Sequence, residues 1–171
     1  EPWGTRAPSG AESAPGAADL ERHEWKQRLV LVFAPSPKHD EYIEQRRLLS
    51  GMKGEDAIYE GERMEQALRE RDVLRYHVMP PGIQGSRIEG VQQGVRTNEE
   101  ASWRPLHDEA ARQIRERFEV GEDDFQVILV GKDGTEKLRK KGEVLEPERL
   151  FEIIDAMPMR KREMREQRQG G

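Results

Sequence analysis

Cysteine is missing from all 171 residues. That absence removes disulfides, thiol nucleophiles, thiolate metal sites and CxxC redox chemistry together. It does not by itself identify a compartment. Long apolar runs are also lacking: nothing approaches the ~18 to 20 residues of a membrane-spanning helix, and no signal peptide is visible. An excess of positive charge is lacking too. The formal net charge of -5 argues against a general nucleic-acid binder, whose phosphate contacts need a basic surface. The chain starts at Glu1 rather than at Met, and we read it as a processed, exported product with an extracytoplasmic location, periplasmic or secreted.

Charged residues make up 37% of the chain and hydrophobic residues 34%, so a core forms only if the apolar residues are gathered in a few segments. They are gathered. The length suits one domain with appendages. Residues 1–24, rich in Pro, Ala, Gly and Ser, read as a flexible leader, because ordering them would bury little. Residues 25–157 read as an α/β domain carrying a loop insertion over 80–104, and 158–171 as a basic, Met-containing tail helix.

Within the domain, LVLVFA from Leu29 is a short continuous apolar run, the pattern of a strand buried on both faces. Ser36 and Pro37 then offer an N-cap and a first-turn proline, which predicts a helix starting there. A second helical stretch follows, with Ala57, Gly61, Met64 and Leu68 on one face. DVLRYHVM alternates, predicting a half-exposed strand with Leu74, Tyr76 and Val78 inward and Arg75 and His77 outward. From Gly82 to Trp103 four glycines and no clean period predict a loop. Pro105 predicts the start of a helix with Leu106, Ala110, Ile114 and Phe118 inward. FQVILV repeats the buried-strand pattern, Asp133-Gly134 supplies a tight turn, and TEKLRKK reads as a lysine-protected edge strand. Pro147 opens a closing helix with Leu150, Phe151, Ile154 and Met157 on one face, and Pro158 interrupts it. The order strand, helix, strand, helix, strand, strand, helix predicts a three-layer α/β sandwich of the thioredoxin-like type, a mixed four-stranded sheet with helices on both faces.

From Leu29 to Met164 five pieces, LVLVFAPS, RERDV, RFEV, VILVGKDGTEKLR and IDAMPMRKREM, make the chain resemble the family called P-DUDES. This is a domain of unknown function shared by bacterial proteins and by animal extracellular proteins such as equarin and the sushi-repeat proteins. The resemblance implies a thioredoxin-like fold related to peroxiredoxins and, often, export; it implies no activity. Where a thioredoxin carries CxxC this chain reads SPKHD, Ser36 to Asp40. Where thioredoxins have a proline before the third core strand it reads EDDF, Glu122 to Phe125.

Two readings of the Ser36–Asp40 loop stay open. In the functional one, a helix start at the carboxyl end of the central strand offers N–H groups to an anion, and His39 acts as general base oriented by Asp40 or Asp124. The catalytic candidates are then Ser36, His39 and Asp40, in a cysteine-independent enzyme of peroxiredoxin-like ancestry. In the bland one, Ser36 caps a helix and His39 is solvated. The four histidines show no helical i, i+4 or strand i, i+2 spacing, so no metal site and no cofactor are expected. GKDG lacks the length of a phosphate loop and reads as a turn. In the tail, Arg160, Lys161, Arg162 and Arg165 are the binding candidates, for an acidic protein or a sulfated polysaccharide. The first expectation is therefore a non-catalytic module that binds a protein or an acidic polysaccharide, with no nucleic acid and no membrane span.

Overall fold

The computed structural model describes residue 20 and residues 23–50, 62–90 and 103–170. Most of the leader and of the Gly82–Trp103 segment, and Ala57 and Gly61 of the second helical stretch, lie outside the described residues. The chain runs β1 (Arg28–Phe33), α1 (Asp40–Leu49), α2 (Glu62–Glu70), β2 (Val73–Val78), β3 (Arg87–Glu89), β4 (Trp103–Pro105), α3 (Asp108–Phe118), β5 (Gln126–Val130), β6 (Glu136–Lys141), α4 (Pro147–Asp155) and α5 (Pro158–Gly170). The strands form one open mixed sheet in the order β4-β3-β2-β1-β5-β6. The β1/β2 pair is parallel, and the β1/β5, β5/β6, β2/β3 and β3/β4 pairs are antiparallel.

The apolar run of β1 is explained by its central position. Leu29, Leu31 and Phe33 enter one core with Ala110, Ala111 and Ile114 of α3, and Val30, Val32 and Ala34 enter the other with side chains of α1, α2 and α4. A strand covered on both faces has no polar side to show. Met64 lies in the second of these cores. Leu20, in the stretch read as leader, is wholly buried beneath the α3 face.

The sheet has six strands rather than the four expected, because the segment over 80–104 contributes β3 and β4. The glycines there are turn residues: Gly85 and Gly90 take φ of +121° and +93°, values open to glycine without steric cost. They bracket a three-residue strand that buries Ile88 opposite Tyr76. Strand β2 is likewise buried along its whole length. Arg75 and His77 do not face solvent, since α1 and α2 cover that side and polar partners come with them.

The closing helix starts at Pro147 as expected, whereas the helix starts assigned to Ser36-Pro37 and to Pro105 fall later. Ser36 Oγ accepts the Lys38 N–H at 3.1 Å, so the hydroxyl closes a local turn and α1 begins at Asp40 with His39 before it. Pro105 pairs with Arg87 as the last residue of β4, and α3 begins at Asp108. The Asp133-Gly134 turn and the lysine-rich edge strand β6 form as the sequence indicates: Gly134 has φ +81°, and Asp133 Oδ1 accepts both the N–H and the hydroxyl of Thr135. At Pro158 the helical chain restarts after a break at Ala156 and Met157.

Candidate functional site

Three polar clusters stand out around this scaffold. The first is the Ser36–Asp40 loop at the carboxyl end of β1. His39 Nε2 lies 2.8 Å from Glu41 Oε1, and its ring stacks on Phe125 at 5.7 Å and 22°. Asp40 is exposed in the first turn of α1, and Asp124 accepts the Gly121 N–H at 3.0 Å. Neither orients His39; Glu41 does. Pro37 is wedged against the next turn, where a Cβ on Gly85 would stand 2.8 Å from Pro37 Cγ.

Beneath this loop the Arg115 guanidinium, supplied by α3, ties together the carboxyl ends of the two parallel strands. It donates to the carbonyls of Ala34 (2.7 Å), Val78 (3.1 Å) and Gly121 (2.8 Å). Burial pulls its pKa down, partly countered by Glu122 and Asp124. An arginine so placed stays cationic and acts as a clasp.

The second cluster is a hydrogen-bonded chain that the sequence reading did not find. Tyr42 on α1 meets His77 Nδ1 on β2 at 3.0 Å, and His77 Nε2 meets Glu89 Oε1 on β3 at 3.0 Å. Burial pulls the His77 pKa down, so the imidazole is neutral. Burial would push the Glu89 carboxyl up, but the His77 N–H and the Arg75 and Arg87 guanidiniums outweigh it and hold it well below the ordinary range. An ionised carboxylate only accepts. His77 therefore donates from Nε2, and its Nδ1 lone pair accepts the Tyr42 O–H. That order of groups can draw a proton from a hydroxyl, yet Tyr42 is 1% exposed and its hydroxyl is pushed up to about 12, chiefly by burial. The chain joins α1, β2 and β3 from within. Arg75 also reaches Glu65 of α2 at 3.1 Å, and Arg87 stacks on Trp103 of β4 at 4.6 Å.

The third cluster closes the opposite end of the sheet. Arg28 opens β1, Asp72 precedes β2 and Lys132 follows β5, so the strand directions bring the three to one end. Arg28 donates from both terminal nitrogens to the Glu163 carboxylate at 3.3 Å and to the Arg71 carbonyl at 2.7 Å. Lys132 Nζ contacts Asp72 at 2.8 Å and Glu163 at 2.7 Å. Arg71 and Arg160 share Asp155, at 2.9 and 3.2 Å, and Arg160 donates to the Glu70 carbonyl at 3.0 Å.

This corrects the placement of Arg160 among the surface binding residues. It is 4% exposed because its turn of α5 faces the domain beside Glu163. Lys161, Arg162 and Arg165 are exposed. The third cluster also explains three of the sequence pieces singled out above: Arg71 and Asp72 come from RERDV, Lys132 from VILVGKDGTEKLR, and Asp155, Arg160 and Glu163 from IDAMPMRKREM.

Among the described residues no group of three or more His, Asp or Glu side chains is placed to hold a metal ion, and no helix is long and apolar enough to cross a membrane. No solved structure matches the chain. A family model does match, over residues 19–163, a span reaching from buried Leu20 to the Glu163 that closes the ion cluster. The chain belongs to that family, the domain of unknown function DUF4174.

Proposed function

We propose that this chain is a non-catalytic, thioredoxin-like module of the P-DUDES type that works outside the cytoplasm by binding a polyanion through the outer face of α5. The thioredoxin-like reading is supported by the central order β2-β1-β5-β6, with its first pair parallel and the other two antiparallel. The non-catalytic reading is supported by the loop after β1. Its hydroxyl is engaged with the Lys38 N–H, its imidazole is held between Glu41 and Phe125, and no thiol exists. An enzyme using that loop would have to displace those contacts first.

One observation carries the binding reading. Lys161, Arg165 and Arg168 recur at four and three residues, which places them on one face of a helix, with Arg162 flanking them. All four are exposed, and none has an ion-pair partner among the described residues. Elsewhere on the helices arginines are commonly paired, as Arg47 is with Glu44 and Arg112 with Glu109 and Glu116. Unpaired cations in a row suit the spaced anions of a sulfated polysaccharide, whose binding weakens as salt screens it.

The test is retention on a heparin column at physiological salt. The chain is expected to bind and to elute with added sodium chloride, and a Lys161→Ala, Arg162→Ala, Arg165→Ala, Arg168→Ala variant to flow through. Equal retention of the two proteins would remove α5 as the contact. Flow-through of both, with capture of an acidic protein by the unaltered chain alone, would move the reading to that partner.

A further inference from the structure

The Arg28–Lys132 pair at the amino end of β1 has the chemistry of a buried anion site, and the chain supplies the anion itself. The two side chains are 1% and 8% exposed. Arg28 has one carboxylate, Glu163, gripped by both Nη atoms in the two-pronged geometry that guanidinium offers to any planar or tetrahedral oxyanion. Its Nε is buried with no hydrogen-bond acceptor among the described residues. Lys132 adds the shortest contact to the same carboxylate, 2.7 Å. Glu163 thus sits as a ligand sits, its charge met by Arg28 and Lys132 at the ends of the paired strands β1 and β5, with Arg160 of its own helix farther off at 3.6 Å.

The helix that delivers it is held mainly by charge. Among the described residues Arg160 is its only buried side chain, and neither Met159 nor Met164 belongs to either apolar core. The break before Pro158 separates it from α4, so α5 can shift without unwinding the closing helix.

We propose that Arg28 and Lys132 form a binding site for a small oxyanion, a carboxylate, phosphate or sulfate group, which Glu163 occupies in the resting protein. Asp72 and Arg71 complete its wall, through the Lys132 contact and the carbonyl that receives Arg28. A ligand oxyanion takes the place of the Glu163 carboxylate, and the two cations stay neutralised throughout. The inference concerns the inner face of α5, so it stands or falls apart from the outer-face reading.

The experiment is thermal unfolding of the full chain and of Glu163→Ala and Glu163→Gln variants, in sodium chloride and in sodium phosphate of equal ionic strength. Removing one partner of a buried pair should lower Tm by roughly 10 °C in chloride. Phosphate should then raise the Tm of Glu163→Ala, increasing with the logarithm of its concentration, well beyond the small general effect on the unaltered chain. Glu163→Gln should be destabilised without that response, because its amide still fills the space. Adding Lys132→Met to Glu163→Ala should abolish the response. If Glu163→Ala folds only with phosphate present, the site is supported. An Ala variant that matches the unaltered chain in Tm, answers phosphate no more than that chain does, or folds in neither buffer overturns the proposal.

Discussion

Neutral His77 makes the stability of this domain depend on pH in a window where carboxylates are silent. The imidazole is enclosed by Tyr42 and Arg46 of α1, Arg75 of its own strand, and Arg87 and Glu89 of β3, with Glu65 of α2 behind Arg75. Burial, the largest influence, and the arginines disfavour the imidazolium; Glu89 alone favours it. The folded pKa is therefore depressed below the ordinary 6.5, and below that pH the unfolded chain binds the extra proton. Stability is fully present above about pH 6.5 and declines as pH falls toward the folded pKa, at up to about 1.4 kcal/mol per pH unit. Part of the domain's stability should therefore be lost through this one group as the pH falls below 6.5. Glu89, depressed from 4.5, adds its own loss only below that value. The assay is urea unfolding followed by far-UV circular dichroism at pH 7, 6 and 5, for the unaltered chain and for His77→Gln. The variant should be weaker at pH 7 by about 1 to 3 kcal/mol, since it disturbs two buried hydrogen bonds, and should show a much flatter profile down to pH 5. Equal slopes in the two proteins would refute a neutral, enclosed His77.

Other outcomes follow from groups already described. Gln45, wholly buried, bonds both the N–H and the C=O of Leu145, at 2.7 and 2.9 Å; Gln45→Leu strands two buried backbone groups and should cost about 2 to 4 kcal/mol in denaturant unfolding. Gly85→Ala adds a Cβ 2.8 Å from Pro37 at a φ of +121°, so a lower Tm and a disturbed Ser36–Asp40 loop by NMR are expected. Arg160→Ala should destabilise by about 3 kcal/mol or more, leaving Asp155 with Arg71 alone, whereas Arg162→Ala should stay within about 0.5 kcal/mol. Asp155 and Glu163 lie in partly buried sites that raise their pKa, an effect outweighed by the cations around them, so both are depressed from 3.8 and 4.5. The stability they contribute is present above those values and is lost as pH falls through the folded ones, so acid unfolding should be less steep below pH 4.5 in Glu163→Gln.

The legible parts of the fold were those set by neighbours in sequence. The runs at β1 and β5 report burial on both faces, Asp133-Gly134 reports a backbone that favours glycine, and Pro158 reports a missing N–H. Strands β3 and β4 were not legible, because three residues carry too little pattern and their existence depends on pairing across the sheet with β2. The alternation in β2 was real but misleading: Arg75 and His77 are polar and still inside, because Glu65, Tyr42 and Glu89 arrive from three other elements. At the Ser36–Asp40 loop the residue types were readable and their partners were not, since Glu41 rather than Asp40 or Asp124 meets His39. Arg160 could have been separated from its neighbours earlier. Its spacing of three and four to Glu163 and Met164 groups it with them, roughly 100° to 140° round the helix from Lys161 and Arg165.

The position of β1 has a consequence for how the chain comes together. It is the first of the described strands in sequence, yet its neighbours are β2, starting 45 residues later, and β5, whose Val130 pairs with Leu29, while Arg28 pairs with a carboxylate 135 residues on. Contacts so remote in sequence slow the search for the native arrangement. During synthesis the face of β1 that meets Ala110, Ala111 and Ile114 stays open until α3 has left the ribosome, an interval in which such segments adhere to one another. Glu163, in the second turn of α5, then completes the ion cluster at the start of β1.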